Sequence, residues 1–114
     1  MVLFEQRPAQ TRALNDLLRT TFFAKHGLVV ITSGVDALSI AVKQRIIERV
    51  KTFDAFTPDN DPHGEHDFGT IEEAGHAIYF KIDYYDRTMS FGSDEPWNPQ
   101  KTLRVMTLLL SEEY

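Results

Sequence analysis

The chain has 114 residues, no cysteine and a formal net charge of −5, from twelve Lys and Arg against seventeen Asp and Glu. This length and a hydrophobic content of 42% suit one compact domain with one core, so we expect a single domain over residues 1–114. Without cysteine, disulfide frameworks and thiolate metal sites are excluded. Nucleic-acid binding is disfavoured, because such affinity rests on many Lys and Arg side chains that neutralise phosphates.

The ends of the chain carry no sign of export or membrane insertion. The start has four apolar residues before charge and proline appear, which is shorter than the apolar segment of a signal peptide. No later apolar run approaches the roughly 18 residues that a membrane span requires. We therefore expect a cytoplasmic protein that does not contact membranes.

The first half of the chain predicts a helix, a strand and a second helix. Apolar residues recur at helical spacing from Pro8 to about Lys25, and His26-Gly27 is expected to end that helix. Residues 28–32 are short, continuous and β-branched, which is typical of a strand. Ser39 is a good N-cap for a helix from Ile40 to Phe53.

The second half predicts a hairpin. Residues 68–73 and 76–85 flank Ala74-Gly75, and alternation along the second strand separates a core face from a polar and aromatic face. The polar and aromatic face consists of Tyr79, Lys81, Asp83 and Tyr85. After a turn at Asp86, Met89-Ser90-Phe91 is predicted as a short last strand.

The end of the chain predicts a third helix. Asn98 is a suitable N-cap, Pro99 suits the first helical position, and apolar residues from Leu103 to Leu110 fall at helical spacing, so the helix is expected to reach about Glu113. The predicted order α-β-α-β-β-β-α indicates an α+β fold with a small antiparallel or mixed sheet of about four strands and three helices packed on it.

Residues 56–69, which we call the central stretch, concentrate the ionisable groups. Carboxylates converging from one loop favour hard metal ions, and a carboxylate beside a histidine can transfer protons. The candidate metal ligands are Asp59, Asp61, Glu65, His66 and Asp67. The candidate catalytic residues are Asp59, Glu65, His66, Lys81 and Asp83. An EF-hand is incomplete here, because Thr70 stands where its bidentate glutamate is needed.

Two other interpretations of the central stretch remain open. Asp and Asn beside Pro and Gly form turns by bonding to nearby backbone groups, so the stretch can be purely structural, with His66 bonded to Asp83 or to backbone. Exposed aromatic side chains with polar tips are also enriched at protein interfaces. The residues of that hypothetical binding surface are Asp61, Asp67, Tyr79, Tyr85, Asp86 and Trp97.

Several motifs resemble those of a bacterial family of uncharacterised proteins, the domain-of-unknown-function family three-seven-six-eight. The resemblance rests on Leu14-Asn15-Asp16, Phe56 to Gly69, Lys81 to Asp86 and Glu112-Glu113-Tyr114. It implies a short single-domain protein, often carried on mobile elements, without an established activity. The resemblance implies tyrosine at the position of His63, which makes His63 a poor candidate for an essential ligand. It also implies a small residue where this chain has Trp97.

The sequence therefore favours a non-catalytic protein-interaction or accessory module that uses the central stretch and the 79–86 strand face. The alternative is a metal-dependent, hydrolase-like enzyme centred on the acidic and histidine residues of the central stretch. A third hypothesis, inhibition of a defence or DNA-handling protein, rests on the mobile-element context and the modest acidity. The expected partner is another protein, and the pattern indicates no particular cofactor.

Overall fold

The structure, a computed structural model, describes residues 2–114 and has a four-stranded mixed sheet with helices on one face. The sheet order is β1-β4-β3-β2, in which β1 and β4 are parallel and the other pairs antiparallel. The elements are α1 (Arg7–Thr21), β1 (Leu28–Ile31), α2 (Ser33–Asp36), α3 (Ile40–Thr52), β2 (Phe68–Glu73), β3 (His76–Tyr85) and β4 (Leu103–Leu110). The predicted α+β class is confirmed.

The two long helices form where their local signals place them. Ser39 Oγ accepts a hydrogen bond from the Val42 N–H at 3.2 Å, which confirms the predicted N-cap of α3. Helix α1 ends earlier than predicted, because Phe22 takes a left-handed conformation with φ of 56° and its N–H bonds back to the Leu18 carbonyl. His26 instead ends a short 3-10 helix (Ala24–His26), and Gly27 connects that helix to β1.

The predicted hairpin is confirmed. Strands β2 and β3 pair with Ile71 opposite Ile78, and the two residues between them, Ala74 and Gly75, both have positive φ. Positive φ at both central positions is the geometry whose twist matches that of the flanking strands.

The predicted C-terminal helix is wrong, because residues 103–110 form β4 at the centre of the sheet between β1 and β3. Strand β4 lies between two other strands and most of its side chains are buried, so its sequence is nearly continuously apolar, which periodicity does not distinguish from a helix. Asn98 and Pro99 belong to a turn in which the Lys101 N–H donates to the Asn98 carbonyl. The predicted strand at residues 89–91 is also wrong, since only a single bridge joins Tyr85 to Gly92 there.

The core lies between the helices and one face of the sheet. Leu18 of α1, Ile46 and Val50 of α3, and Phe80 of β3 are among its fully buried members. Strand register assigns the remaining strand positions to the opposite face, which we call the open face because no helix covers it within the described chain. The open face comprises Leu28, Val30, Phe68, Thr70, Glu72, Ala77, Tyr79, Lys81, Asp83, Tyr85, Leu103, Val105, Thr107 and Leu109. At its centre Val105 and Leu109 are only 8% and 3% exposed, so the accessible part of this face lies around them.

None of the helices within residues 2–114 is both long enough and apolar enough to span a membrane.

Candidate functional site

The central stretch leaves α3 as a loop, and its last two residues begin β2. Side chains of α1 contact three consecutive residues of this loop, Gly64, Glu65 and His66. Arg12 Nη1 donates to the Gly64 carbonyl at 2.9 Å, and Asn15 Nδ2 donates to the Glu65 carbonyl at 3.0 Å. Because backbone carbonyls of a loop need such partners when they approach the core, α1 fixes where the side chains that follow will point.

His66 is oriented by a carboxylate of α1. Its Nδ1 lies 2.9 Å from Asp16 Oδ1, and its ring stacks on Phe56 with centroids 3.8 Å apart and planes 5° from parallel. The predicted partner of the His66 ring was Asp83, but its partner in the structure is Asp16. The other ring nitrogen, Nε2, lies 3.8 Å from Asp61 Oδ2, so the imidazole lies between two carboxylates, one from α1 and one from the central stretch.

Asp61 and Asp59 have different environments. The buried carboxylate of Asp61 accepts the N–H groups of Glu65 at 3.1 Å and of His66 at 3.2 Å, so it closes the loop on itself. Asp59 is exposed at the tip of the turn, and its side chain has no hydrogen bond or ion pair with another described residue. The structure thus makes Asp61 a scaffold residue and leaves Asp59 free in solvent.

A buried polar network connects α1, the central stretch and the sheet. Asn15, which is fully buried, accepts from Arg104 Nε at 2.8 Å and donates to the Tyr84 hydroxyl at 2.8 Å. Tyr84 in turn donates to Glu65 Oε1 at 3.2 Å. Burial raises the pKa of Tyr84 and lowers the pKa of Arg104 to about 10, so the interior holds a neutral phenol and a guanidinium with weakened proton affinity.

Burial also raises the pKa of two carboxyl groups in the central stretch. For Glu65 the neighbouring charge of Asp67 adds to the effect of burial, and for Asp67 the charges of Asp61 and Asp83 do so. Negative charges that lie close together disfavour the ionised form of each carboxyl group. The raised pKa values therefore indicate that acidic groups outnumber basic groups in this part of the central stretch.

The metal-site hypothesis finds no donor set in the structure. Within residues 2–114, no group of three or more His, Asp or Glu side chains converges so that it could hold a metal ion. The reason is visible in their contacts, since Asp61 bonds to backbone, Glu65 to Tyr84, and His66 to Asp16.

The open face brings together two residues of the predicted binding surface, Tyr79 and Tyr85. Tyr79 packs against Phe68 at 5.2 Å and against Tyr114 at 5.7 Å between ring centroids. Further along β3, Lys81 Nζ contacts Asp83 Oδ2 at 2.6 Å, and Tyr85 completes the row. Neither Phe68 nor Tyr114 was among the predicted site residues, although Phe68 follows from extending the alternation of β2.

Two predicted members of the binding surface, Trp97 and Asp86, make other contacts in the structure. The guanidinium carbon of Arg7 lies over the Trp97 ring, 4.2 Å from the ring centroid. The neighbouring Pro96 carbonyl accepts a hydrogen bond from Arg104 on the helix side of the sheet. Asp86 accepts from the backbone N–H groups of Thr88 and Ser90 and so shapes the turn after β3. These contacts give Trp97 and Asp86 structural roles, and their place in a binding surface stays a prediction.

Residues 31–113 match the family described as protein of unknown function DUF3768. The chain belongs to this family. The match covers α2, α3 and the whole hairpin, but it begins after α1, so Leu14-Asn15-Asp16 lies outside it. Comparison with curated proteins and with solved structures gives no match. DUF3768 membership therefore identifies the domain without giving it an activity.

The residues that organise the site were not among the predicted site residues. Asp16, Asn15 and Arg104 lie 50 or more residues from the partners that they contact, and Arg104 was assigned to a helix. A buried strand that includes an arginine is a signal that could have been used, since such a charge requires polar partners.

Replacing Asp61 by alanine is expected to destabilise the DUF3768 domain by about 2 kcal/mol, because the backbone N–H groups of Glu65 and His66 lose their acceptor. Asp59→Ala is the matched control and should change the free energy of unfolding by less than about 0.5 kcal/mol, since the side chain is exposed. Urea unfolding of both variants measures the difference. Equal stabilities would show that Asp61 does not hold the loop together.

Proposed function

We propose that this protein is a non-catalytic protein-binding module and that its partner is a basic protein that docks on the open face. The observation that carries the proposal is the one-sided cover of the sheet, with α1 and α3 packed on one face and none of the described helices on the other. A sheet face that is rich in aromatic and aliphatic side chains gains free energy when a partner removes it from water.

The composition of the open face supports a protein partner. Phe68, Tyr79 and Tyr114 form an aromatic cluster, in which Tyr114 is 77% exposed. Leu28 and Val30 of β1, at the opposite edge of the sheet, are 43% and 42% exposed. Tyrosine contributes both apolar area and a hydrogen-bonding hydroxyl, which is why it is frequent in protein interfaces.

The charges beside the open face support a basic partner. Lys81 is neutralised by Asp83 at 2.6 Å, whereas Asp67, whose pKa is raised by burial and then by the charges of Asp61 and Asp83, forms no ion pair within the described part of the chain. A lysine or arginine of the partner, placed beside Asp67 and Asp83, would offset the repulsion between these two carboxylates. Inhibition of a DNA-handling or defence protein would be one outcome of such binding, and the identity of the partner decides it.

Site-specific photocrosslinking tests the proposal in the cells that naturally make the protein. We expect a photoreactive phenylalanine analogue at Tyr79 or Tyr114 to capture the same protein, because both positions lie in the aromatic cluster. The control position is Glu48, which is exposed on α3. Capture of the same protein from Glu48, or of none from Tyr79 and Tyr114, would overturn the proposal. With the purified partner, Tyr79→Ala should weaken binding at least tenfold.

The pH dependence provides a second measure of the same binding. Since burial raises the pKa of Asp67, its negative charge is lost at a higher pH than that of an ordinary aspartate, and affinity should fall as pH decreases through this range. Folding stability should change in the opposite direction, because a carboxyl with a raised folded pKa favours the fold only where it is protonated. Asp67→Asn should reduce both dependences. A partner affinity that is unchanged in this variant would exclude Asp67 from the interface.

A further inference from the structure

We infer that a second site, a cavity of about 180 Å³ at the start of strands β1 and β4, binds a small anion that carries a phosphate group. Four basic side chains line this cavity: Lys25, His26, Arg87 and Arg104. No carboxylate is among its lining residues within the described chain. The cavity shares Leu28 and Leu103 with the open face, but its binding of an anion does not depend on the proposed function.

The main support for an anion site comes from the burial and the hydrogen-bond partners of Arg104. It is only 2% exposed, yet no carboxylate lies within 4 Å of its guanidinium among residues 2–114. Its Nε donates to Asn15 Oδ1 and its Nη2 to the Pro96 carbonyl, both of which are neutral acceptors. A cation is costly in the interior, so burial lowers the pKa of Arg104 to about 10, and the charge of Glu65, linked to Arg104 through Tyr84 and Asn15, offsets only part of this cost.

The guanidinium of Arg104 also retains a free donor. Its Nη1 forms no hydrogen bond with another described residue, and it is not one of the enclosed, unpartnered nitrogens, which belong to Arg7 and Arg19. Nη1 is therefore not fully enclosed by protein atoms, and Arg104 is among the residues that line the cavity. An oxygen of a bound anion could accept from this donor and add negative charge beside the guanidinium.

The other basic groups reach the cavity because Gly27 lets the chain pass close to β4. A Cβ at Gly27 would lie 2.7 Å from the Arg104 carbonyl oxygen and 2.9 Å from Leu18, and the φ of 152° is one that other residues rarely adopt. This close approach places Lys25 and His26 over the start of β4. Neither they nor Arg87 forms an ion pair within the described chain, so their charge remains available in a protein of net charge −5.

The size and the charge of the cavity indicate the class of ligand. Its volume is below the roughly 300–1,000 Å³ of pockets that enclose drug-sized molecules. Several cations around a small space suit a dianion with oxygens in several directions, and arginine in particular matches the geometry of phosphate. Inorganic phosphate and the phosphate group of a small monoester share this chemistry.

Titration with inorganic phosphate, followed by calorimetry at constant ionic strength in a phosphate-free buffer, tests the inference. We expect saturable binding to the wild-type protein and at least a tenfold loss of affinity in Arg87→Gln and in Lys25→Gln. These two side chains are exposed, so both variants should fold. Arg49→Gln on α3 removes the same charge away from the cavity and should bind within twofold of wild type.

Two results would overturn the inference: no saturable binding of phosphate or of glycerol 3-phosphate by the wild-type protein, or equal affinities in all variants. The two sources of the phosphate group are distinguished by comparing inorganic phosphate with glycerol 3-phosphate, with glycerol as the blank. Tighter binding of the monoester assigns the site to an esterified ligand, and equal or weaker binding assigns it to free phosphate. Because photocrosslinking from Tyr79 does not involve this cavity, either proposal can fail alone.

Discussion

Replacing Asn15 by leucine is expected to destabilise the protein by about 3–5 kcal/mol, a large part of the 5–15 kcal/mol that usually separates folded from unfolded domains. Leucine has a similar volume but removes three hydrogen bonds at once. The carbonyl of Glu65, the hydroxyl of Tyr84 and Nε of Arg104 all lose their partner in the interior. The loss at Arg104 dominates, because that group carries a charge and is 2% exposed.

A second variant separates the cost of the stranded charge from the cost of altered packing. Arg104→Met removes the guanidinium and keeps most of the volume, so the double variant Asn15→Leu/Arg104→Met should be more stable than Asn15→Leu alone. Apolar replacements of whole buried polar networks are often close to neutral, whereas removal of one partner is not. Urea unfolding of Asn15→Leu, Arg104→Met and the double variant in phosphate-free buffer measures the three free energies of unfolding. A double variant as unstable as the sum of its single changes would contradict the coupling of these residues.

Local signals predicted those parts of the fold whose stability is local. Helix α3 begins at its Ser39 cap, and the hairpin turns at Ala74-Gly75, because capping and turn geometry involve residues close in sequence. Strand β4 was not predicted, since its apolar residues are compatible with either a helix or a strand buried on both faces. Its pairing with β1, about 75 residues away, decides between the two, and no local pattern reports that pairing.

The candidate site shows the same division. Alternation along β3 correctly placed Tyr79, Lys81, Asp83 and Tyr85 on one face. It could not show that Asp16 holds His66 or that Asn15 holds Arg104, because these contacts span 50 and 89 residues. Net charge had a further limit, since a sum of −5 does not show how the basic side chains are distributed over the surface and around the cavity.

Gly69→Ala is expected to destabilise the protein by about 3 kcal/mol and to lower its melting temperature by about 10 °C, because the core has no room for a methyl group there. Gly69 pairs with Phe80 across the hairpin, and a Cβ would lie 2.3 Å from Phe80 Cε2 and 2.9 Å from Phe53 Cε1. Phe80 cannot retreat easily, since it is 1% exposed and its ring packs edge-on against Phe53 at 5.2 Å.

This displacement should extend from the sheet to the central stretch. Phe80 also contacts Phe56, the ring on which His66 stacks, so the environment of His66 should change together with stability. Thermal melting with NMR of the His66 ring measures both effects. Gly92→Ala is the matched control, because its Cβ would meet the Tyr84 carbonyl oxygen at an ordinary 3.8 Å. Adding Phe80→Leu to Gly69→Ala should restore part of the stability by making room for the methyl group, and no recovery would show that the clash lies elsewhere.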